Sequence, residues 1–225
     1  MTWETWPRGP EIEPSLYAAD FARLGEQVEE LLDAGVRIFH FDVGDGHFVE
    51  PVTIGPVVLQ GIAGLVHARG GVLDCHLMVE NPERHFPQIA KAGGDSVTFH
   101  HEVTDDPGAL VARARELGLG VGLAFNPETE VADAVAAAEG VDIVLCMSIH
   151  PGYSGQEFMP EALDRIRATR DALPAEVLVQ VDGGVTAENV ARVREAGADL
   201  LVAGSAVFGA ASIADAYRGL ASAIA

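Results

Sequence analysis

Short apolar runs recur along the chain, and each is followed by a stretch with helical spacing. The runs cover residues 12–16, 38–43, 72–79, 96–100, 120–125, 143–149, 177–181 and 200–203. They are continuously apolar rather than alternating, as expected of parallel strands buried on both faces. Between them the spacing predicts helices over 20–34, 55–68, 81–93, 107–117, 128–138, 160–173, 187–196 and 212–224. The first places Leu24, Val28, Leu31 and Leu32 on one face, with Asp20 to cap it and Gly35 to close it. Eight strand-then-helix units of this length fit an α/β chain folded as a single closed (β/α)8 TIM barrel over 1–225, with 1–10 as an unassigned N-terminal extension. No linker or low-complexity stretch interrupts it. No Gly-x-Gly-x-x-Gly follows the first strand, so a dinucleotide-binding open sheet loses its main support.

In such a barrel ligands gather at the C-terminal strand ends, where the chain places several polar residues. Along 38–43 side chains alternate, so His40 and Asp42 share the face opposite Phe39, Phe41 and Val43. A His–Asp pair that merely orients a loop would satisfy that segment alone. The third strand adds His76 and the seventh adds Asp182. Two imidazoles and two carboxylates converging from three strands suit one divalent metal ion, with zinc, iron(II), manganese or cobalt all chemically suitable. Glycine-rich turns follow the last three strands: Gly152, Tyr153, Ser154 and Gly155, then Gly183 and Gly184, then Gly204 and Ser205. Backbone amides in such turns point at anions, and three in succession opposite a metal site indicate a phosphorylated substrate.

Charge narrows the picture further. A formal net charge of −20 opposes nucleic acid and anionic membrane surfaces, and it repels a phosphate at long range, so any anion site is built locally. Only one of the 14 basic residues is lysine, Lys91, in a helical stretch, which argues against Schiff-base chemistry. A bound phosphate is then held by backbone amides or arginine. Cys75 and Cys146 fall inside apolar runs and read as free buried thiols, consistent with a reducing compartment. No apolar run reaches a membrane span, and residues 1–8 lack the apolar core of a signal peptide, so the expected location is the cytoplasm.

The motifs taken together resemble ribulose-phosphate 3-epimerases from about residue 11 to the C-terminus. They are Pro14-Ser15-Leu16 with Ala19-Asp20-Phe21, His40-Phe41-Asp42-Val43, Asp45-Gly46-His47-Phe48-Val49, His76-Leu77-Met78-Val79, Met147-Ser148, Pro151-Gly152-Tyr153-Ser154-Gly155-Gln156, Val181-Asp182-Gly183-Gly184 and Gly204-Ser205. The resemblance implies metal-dependent interconversion of D-ribulose 5-phosphate and D-xylulose 5-phosphate, usually by a homo-oligomer. It implies His40, Asp42, His76 and Asp182 as metal ligands, with Asp42 and Asp182 also the acid–base pair. Ser15 and His76 become substrate contacts, the three glycine turns become the phosphate cradle, and Met78 and Met147 become a dry wall.

The chain departs from that pattern at Gly44, where the family carries methionine, at Glu50-Pro51, and at His150. Gly44 shares a strand face with the ligands and leaves a gap where a thioether would wall the reaction centre. The preferred expectation is that a neighbouring side chain fills it and ribulose 5-phosphate remains the substrate, the alternative being an enlarged pocket with His150 near its rim that admits a related, six-carbon ketose phosphate. Other readings are a metal-free barrel lyase, which usually needs an Asp-x-Lys-x-x-Asp arrangement, and a barrel that only binds a sugar phosphate.

Overall fold

The computed structural model describes residues 6, 7 and 9–225 of the chain; most of the segment expected to lack a signal peptide lies outside these residues. Eight parallel strands form one sheet: β1 (Glu11–Pro14), β2 (Ile38–Gly44), β3 (Val72–Met78), β4 (Ser96–His100), β5 (Gly120–Phe125), β6 (Ile143–Met147), β7 (Leu178–Asp182) and β8 (Leu200–Ala203). From β2 to β8 each strand pairs with the next, β1 pairs with β8, and a single Ser15–His40 bridge joins β1 to β2. The thin seam has a cause in β1. The amides of Glu11 and Ser15 bond to Asp199 and Ala203 beside β8, which leaves the intervening Pro14 facing β2 with no N–H to give.

The helices alternate with the strands: α1 (Leu24–Ala34), α2 (Pro56–Ala68), α3 (Phe86–Ala92), α4 (Pro107–Glu116), α5 (Val131–Ala137), α6 (Ala162–Ala172), α7 (Val190–Glu195), α8 (Ser205–Phe208) and α9 (Ile213–Ala223). Several begin later than their spacing suggests, because side chains take over the first turn. Asp20 accepts from the Ala22 amide in a turn of its own, and α1 starts only at Leu24. Asn189 accepts from the Thr186 amide and donates to the Gly184 carbonyl, delaying α7 to Val190. No helix among the described residues is long and apolar enough to cross a membrane.

Phe39, Phe41 and Val43 pack outward into the main apolar layer between strands and helices, leaving His40 and Asp42 to the barrel interior. The end of the barrel away from the ligands is closed by Ile38, Val72, Ile143, Leu178 and Leu200, with Trp6 packed on them. Part of the N-terminal extension is therefore a plug. Trp6→Ala is expected to lower unfolding free energy by about 3 kcal/mol through lost burial and the cavity left behind, read as a fall in the denaturant midpoint.

Candidate active site and metal centre

Strand alternation carries His40 and Asp42 on β2, His76 on β3 and Asp182 on β7 into the barrel, where one ligand atom from each lies within 4.8 Å of the others. Asp42 Oδ1 stands at the centre, 3.2 Å from His40 Nε2 and 3.1 Å from His76 Nδ1. Asp182 Oδ2 is 4.0 Å and 3.8 Å from the same nitrogens. The second Asp42 oxygen accepts from Ser15 Oγ at 2.6 Å, which leaves Oδ1 turned to the imidazoles. His40 Nε2 is buried with no hydrogen-bond partner. An orphaned buried nitrogen is costly, and a donor set of two nitrogens and two carboxylate oxygens is what borderline divalent cations take. The residues present therefore fit a divalent cation.

Both histidines are held from behind. His40 Nδ1 lies 3.3 Å from Asp74 Oδ2 and 3.6 Å from Glu13 Oε2. Those two carboxylates are bridged by Gln180, whose amide donates at 2.6 Å to Glu13 and 2.7 Å to Asp74, and Ser96 donates to the other Asp74 oxygen. His76 Nε2 meets His100 Nε2 at 2.8 Å, and His100 Nδ1 lies 3.2 Å from Glu102 Oε2. Sequence reasoning passed over Glu13, Asp74, His100, Glu102 and Gln180. The signal available was alternation: on β3 and β4, residues 74, 96 and 100 share the inward face with the ligands.

The electrostatics separate the two aspartates. Burial pushes Asp182 up to about 7, reinforced by the Asp42 charge. Burial presses Asp42 the same way, but the His40 charge and the closeness of both imidazoles hold its carboxyl far below the usual range. Burial works against a charged His40, yet Asp42, Asp74 and Glu13 keep it well above an ordinary imidazole. Burial, opposed by the Glu102 carboxylate and reinforced by the neighbouring His76, takes His100 down to about 4, so it is a neutral ring.

A cleft opens above the cluster. Asp42 and Asp182 form its floor with Ser15, Met78 and Met147, and its rim carries Gly152, Tyr153, Ser154, Gly155, Gly183, Gly184, Gly204 and Ser205. Tyr17, Ile149, Pro151, Val185 and Val202 complete the lining. Gly184 has φ +64°, and a Cβ there would fall 2.4 Å from the Phe158 amide nitrogen, so this turn admits only glycine. His76 is fully buried beneath the floor, with Nδ1 3.1 Å from Asp42 Oδ1 and Nε2 2.8 Å from His100 Nε2.

At Gly44 neighbouring residues fill the gap, and it is the alternative of an enlarged pocket that is corrected. Residues 45–53 fold back over the end of β2: Thr53 Oγ1 accepts from the Gly44 amide at 2.6 Å and donates to the Asp42 carbonyl at 2.7 Å. A Cβ on Gly44 would meet the Pro51 carbonyl and a Val49 methyl at 2.9 Å, and Thr53 at 3.1 Å. The space is already filled. His150 does not reach the cleft either, since its exposed ring pairs with Glu128 at 3.1 Å. The enlarged-pocket argument thereby loses both of its supports. Gly44→Met is expected to destabilise the fold by about 1–3 kcal/mol through overpacking, measured by chemical denaturation, rather than to shift a substrate ratio.

The sequence profile of the Ribulose-phosphate 3 epimerase family matches residues 11–208. A Cupriavidus necator protein named ribulose-phosphate 3-epimerase 2 is 40% identical over 220 residues, covering 95% of this chain and 90% of that protein. Ribulose-phosphate 3-epimerase of Mycobacterium leprae is 43% identical over 206 residues, covering 90% of each. Among solved structures, 3-hexulose-6-phosphate synthase from Salmonella typhimurium superposes with a TM-score of 0.74 at 17% identity, covering 95% of this chain and 98% of that one, a likeness of fold alone.

Proposed function

The chain belongs to the ribulose-phosphate 3-epimerase family, a family of isomerases, and from that premise we propose that it interconverts D-ribulose 5-phosphate and D-xylulose 5-phosphate with one divalent cation held by His40, Asp42, His76 and Asp182. One observation carries the reading: two aspartates from separate strands share a cleft floor above two imidazoles and below a rim of glycine turns. Inverting the carbon beside a ketone requires a group on each face, one removing a proton while the other returns one. Asp42 and Asp182 are those groups, and their unequal environments suit one to start ionised and the other protonated. Ser15 orients Asp42 through its second oxygen. Met78 and Met147 keep that side of the floor apolar, excluding water from the reacting carbon. The cation, zinc, iron(II), manganese or cobalt, supplies Lewis-acid stabilisation of the charge left on the substrate when the C3 proton departs.

Among the described residues no lysine or arginine lines the cleft, so the phosphate is held by amides of the turns at 152–155, 183–184 and 204–205. Gly204 is the more informative position, because its φ of −92° lies outside the left-handed region that, with the Phe158 contact, restricts Gly184 to glycine. A Cβ there would already stand 3.3 Å from Ser154 Oγ. Gly204→Val is expected to raise KM for the phosphorylated ketose about tenfold or more, with a smaller effect on its dephosphorylated analogue. Equal losses for both would remove the phosphate from this turn. Lys91, the single lysine, lies exposed on α3, so the lyase reading lacks its central residue.

The test of the function is proton exchange in deuterated water with metal-loaded protein and a panel of ketose phosphates. Deuterium is expected at C3 of ribulose 5-phosphate together with conversion to xylulose 5-phosphate. Absence of C3 exchange with any pentulose phosphate would overturn the reading, and faster turnover of a hexulose phosphate would reassign the substrate.

A further inference from the structure

The two imidazoles of the cluster are backed differently. A ligand histidine usually donates its remote ring N–H to a carboxylate or a carbonyl, which fixes the tautomer and aims the other lone pair at the metal. His40 follows this rule with Asp74 at 3.3 Å. His76 does not, for its remote nitrogen faces a second imidazole, His100, at 2.8 Å. Two ring nitrogens at that distance need one donor and one acceptor. His100 is fully buried, stacked on His76 and packed against Phe48 at 4.6 Å between centroids, so it cannot turn away.

Glu102 decides which nitrogen donates. Its Oε1 accepts from the Asn126 backbone amide at 2.7 Å and from the Thr129 hydroxyl, while Oε2 lies 3.2 Å from His100 Nδ1. A carboxylate only accepts, so the His100 proton sits on Nδ1 and its Nε2 carries the lone pair. His76 must then hold its own proton on Nε2, so that with a cation bound by Asp42 and Asp182 its Nδ1 offers a lone pair rather than a proton. We propose that Glu102 and His100 are positioning residues that set the tautomer of His76, a carboxylate acting on a metal ligand through one intervening imidazole. The proposal rests on the reading of His76 as a cation ligand.

The geometry supplies a specific test. In Glu102→Gln the Asn126 N–H is a backbone donor and cannot reverse, so the amide carbonyl must keep that contact and the NH2 must face His100 Nδ1. His100 would then accept at Nδ1 and donate from Nε2, forcing the His76 proton onto Nδ1, where it blocks the cation. Cobalt(II) affinity, measured by competition with a chelator, is expected to fall about 10–100-fold while the loop after β5 keeps its backbone bond. In a His100→Gln background, where the new carbonyl oxygen can accept directly from His76, Glu102→Gln is expected to cost little further affinity. Nitrogen-15 spectra of the zinc-loaded wild type are expected to show protons on His76 Nε2 and His100 Nδ1.

Undiminished cobalt affinity in Glu102→Gln, an equal loss in the His100→Gln background, or a bare His76 Nε2 in the zinc form would each overturn the relay. These readouts do not involve the ketose. A wild type that binds cobalt but exchanges no substrate proton would sink the epimerase reading alone, whereas a wild type that binds no cobalt would sink the metal site and the relay with it.

Discussion

Asp42→Asn and Asp182→Asn are each expected to cost about 10³-fold or more in epimerase turnover at saturating metal while leaving the fold intact. General acid–base groups contribute typically about 10²–10⁴-fold, and each aspartate here is also asked to be an anionic ligand, so the two losses compound. Folding should survive because the amide is isosteric and has partners in place: in Asp42→Asn the Ser15 hydroxyl can still donate to the amide oxygen. The two variants should also fail in complementary ways. If one aspartate deprotonates ribulose 5-phosphate and the other deprotonates xylulose 5-phosphate, each variant keeps slow C3 exchange with one epimer and loses it with the other, in opposite senses. Near-normal turnover by either variant, or the same exchange pattern in both, would end the two-aspartate assignment.

The barrel and the convergence of His40, Asp42, His76 and Asp182 were legible in the sequence for a common reason. Both depend on short-range periodicity, since continuous apolar runs mark buried parallel strands and alternation then says which strand-end residues turn inward. Strands β4, β5 and β8 fall where the apolar runs predict them. What was not legible is what depends on the return of distant chain. Gly44 looks like a gap because its side chain is absent, but Val49, Pro51 and Thr53 come back from the following loop to fill the place. Helix α5 begins at Val131 rather than 128 because Thr129 is held by Glu102 from the turn after the neighbouring strand β4. Helix α8, at four residues, is too short to show a period. The buried layer of Glu13, Asp74 and Gln180 was missed for another reason: single polar residues inside apolar strands read as exceptions until the barrel closes and brings them together.

The closing of that polar interior also predicts how the cation is gained and lost. Without it the cluster packs four carboxylates, Glu13, Asp42, Asp74 and Asp182, around His40 and His76 in a dry interior, and charge balance is restored by protons. His40 is held charged well above its ordinary range, and Asp182 is pushed up to about 7. A cation needs the His40 Nε2 lone pair and the Asp182 carboxylate, so binding must expel whatever protons these groups carry. The sign follows directly. Both groups have raised pKa values in the cation-free protein, so lowering the pH through about 7 protonates Asp182 beside a His40 that is already charged and weakens metal binding, and raising the pH removes the protons in turn. Affinity for zinc or cobalt is expected to fall about tenfold per pH unit for each proton displaced. Calorimetric titrations in buffers of different ionisation enthalpy would count those protons. Chelation at neutral pH should correspondingly lower turnover by about 10³-fold, the scale of several kcal/mol of lost Lewis-acid stabilisation, with recovery on adding metal. His76→Ala should recover only partly in excess metal, because three of the four ligands remain. Metal affinity that does not change between about pH 6 and 8 would mean that His40 and Asp182 do not share their site with the cation.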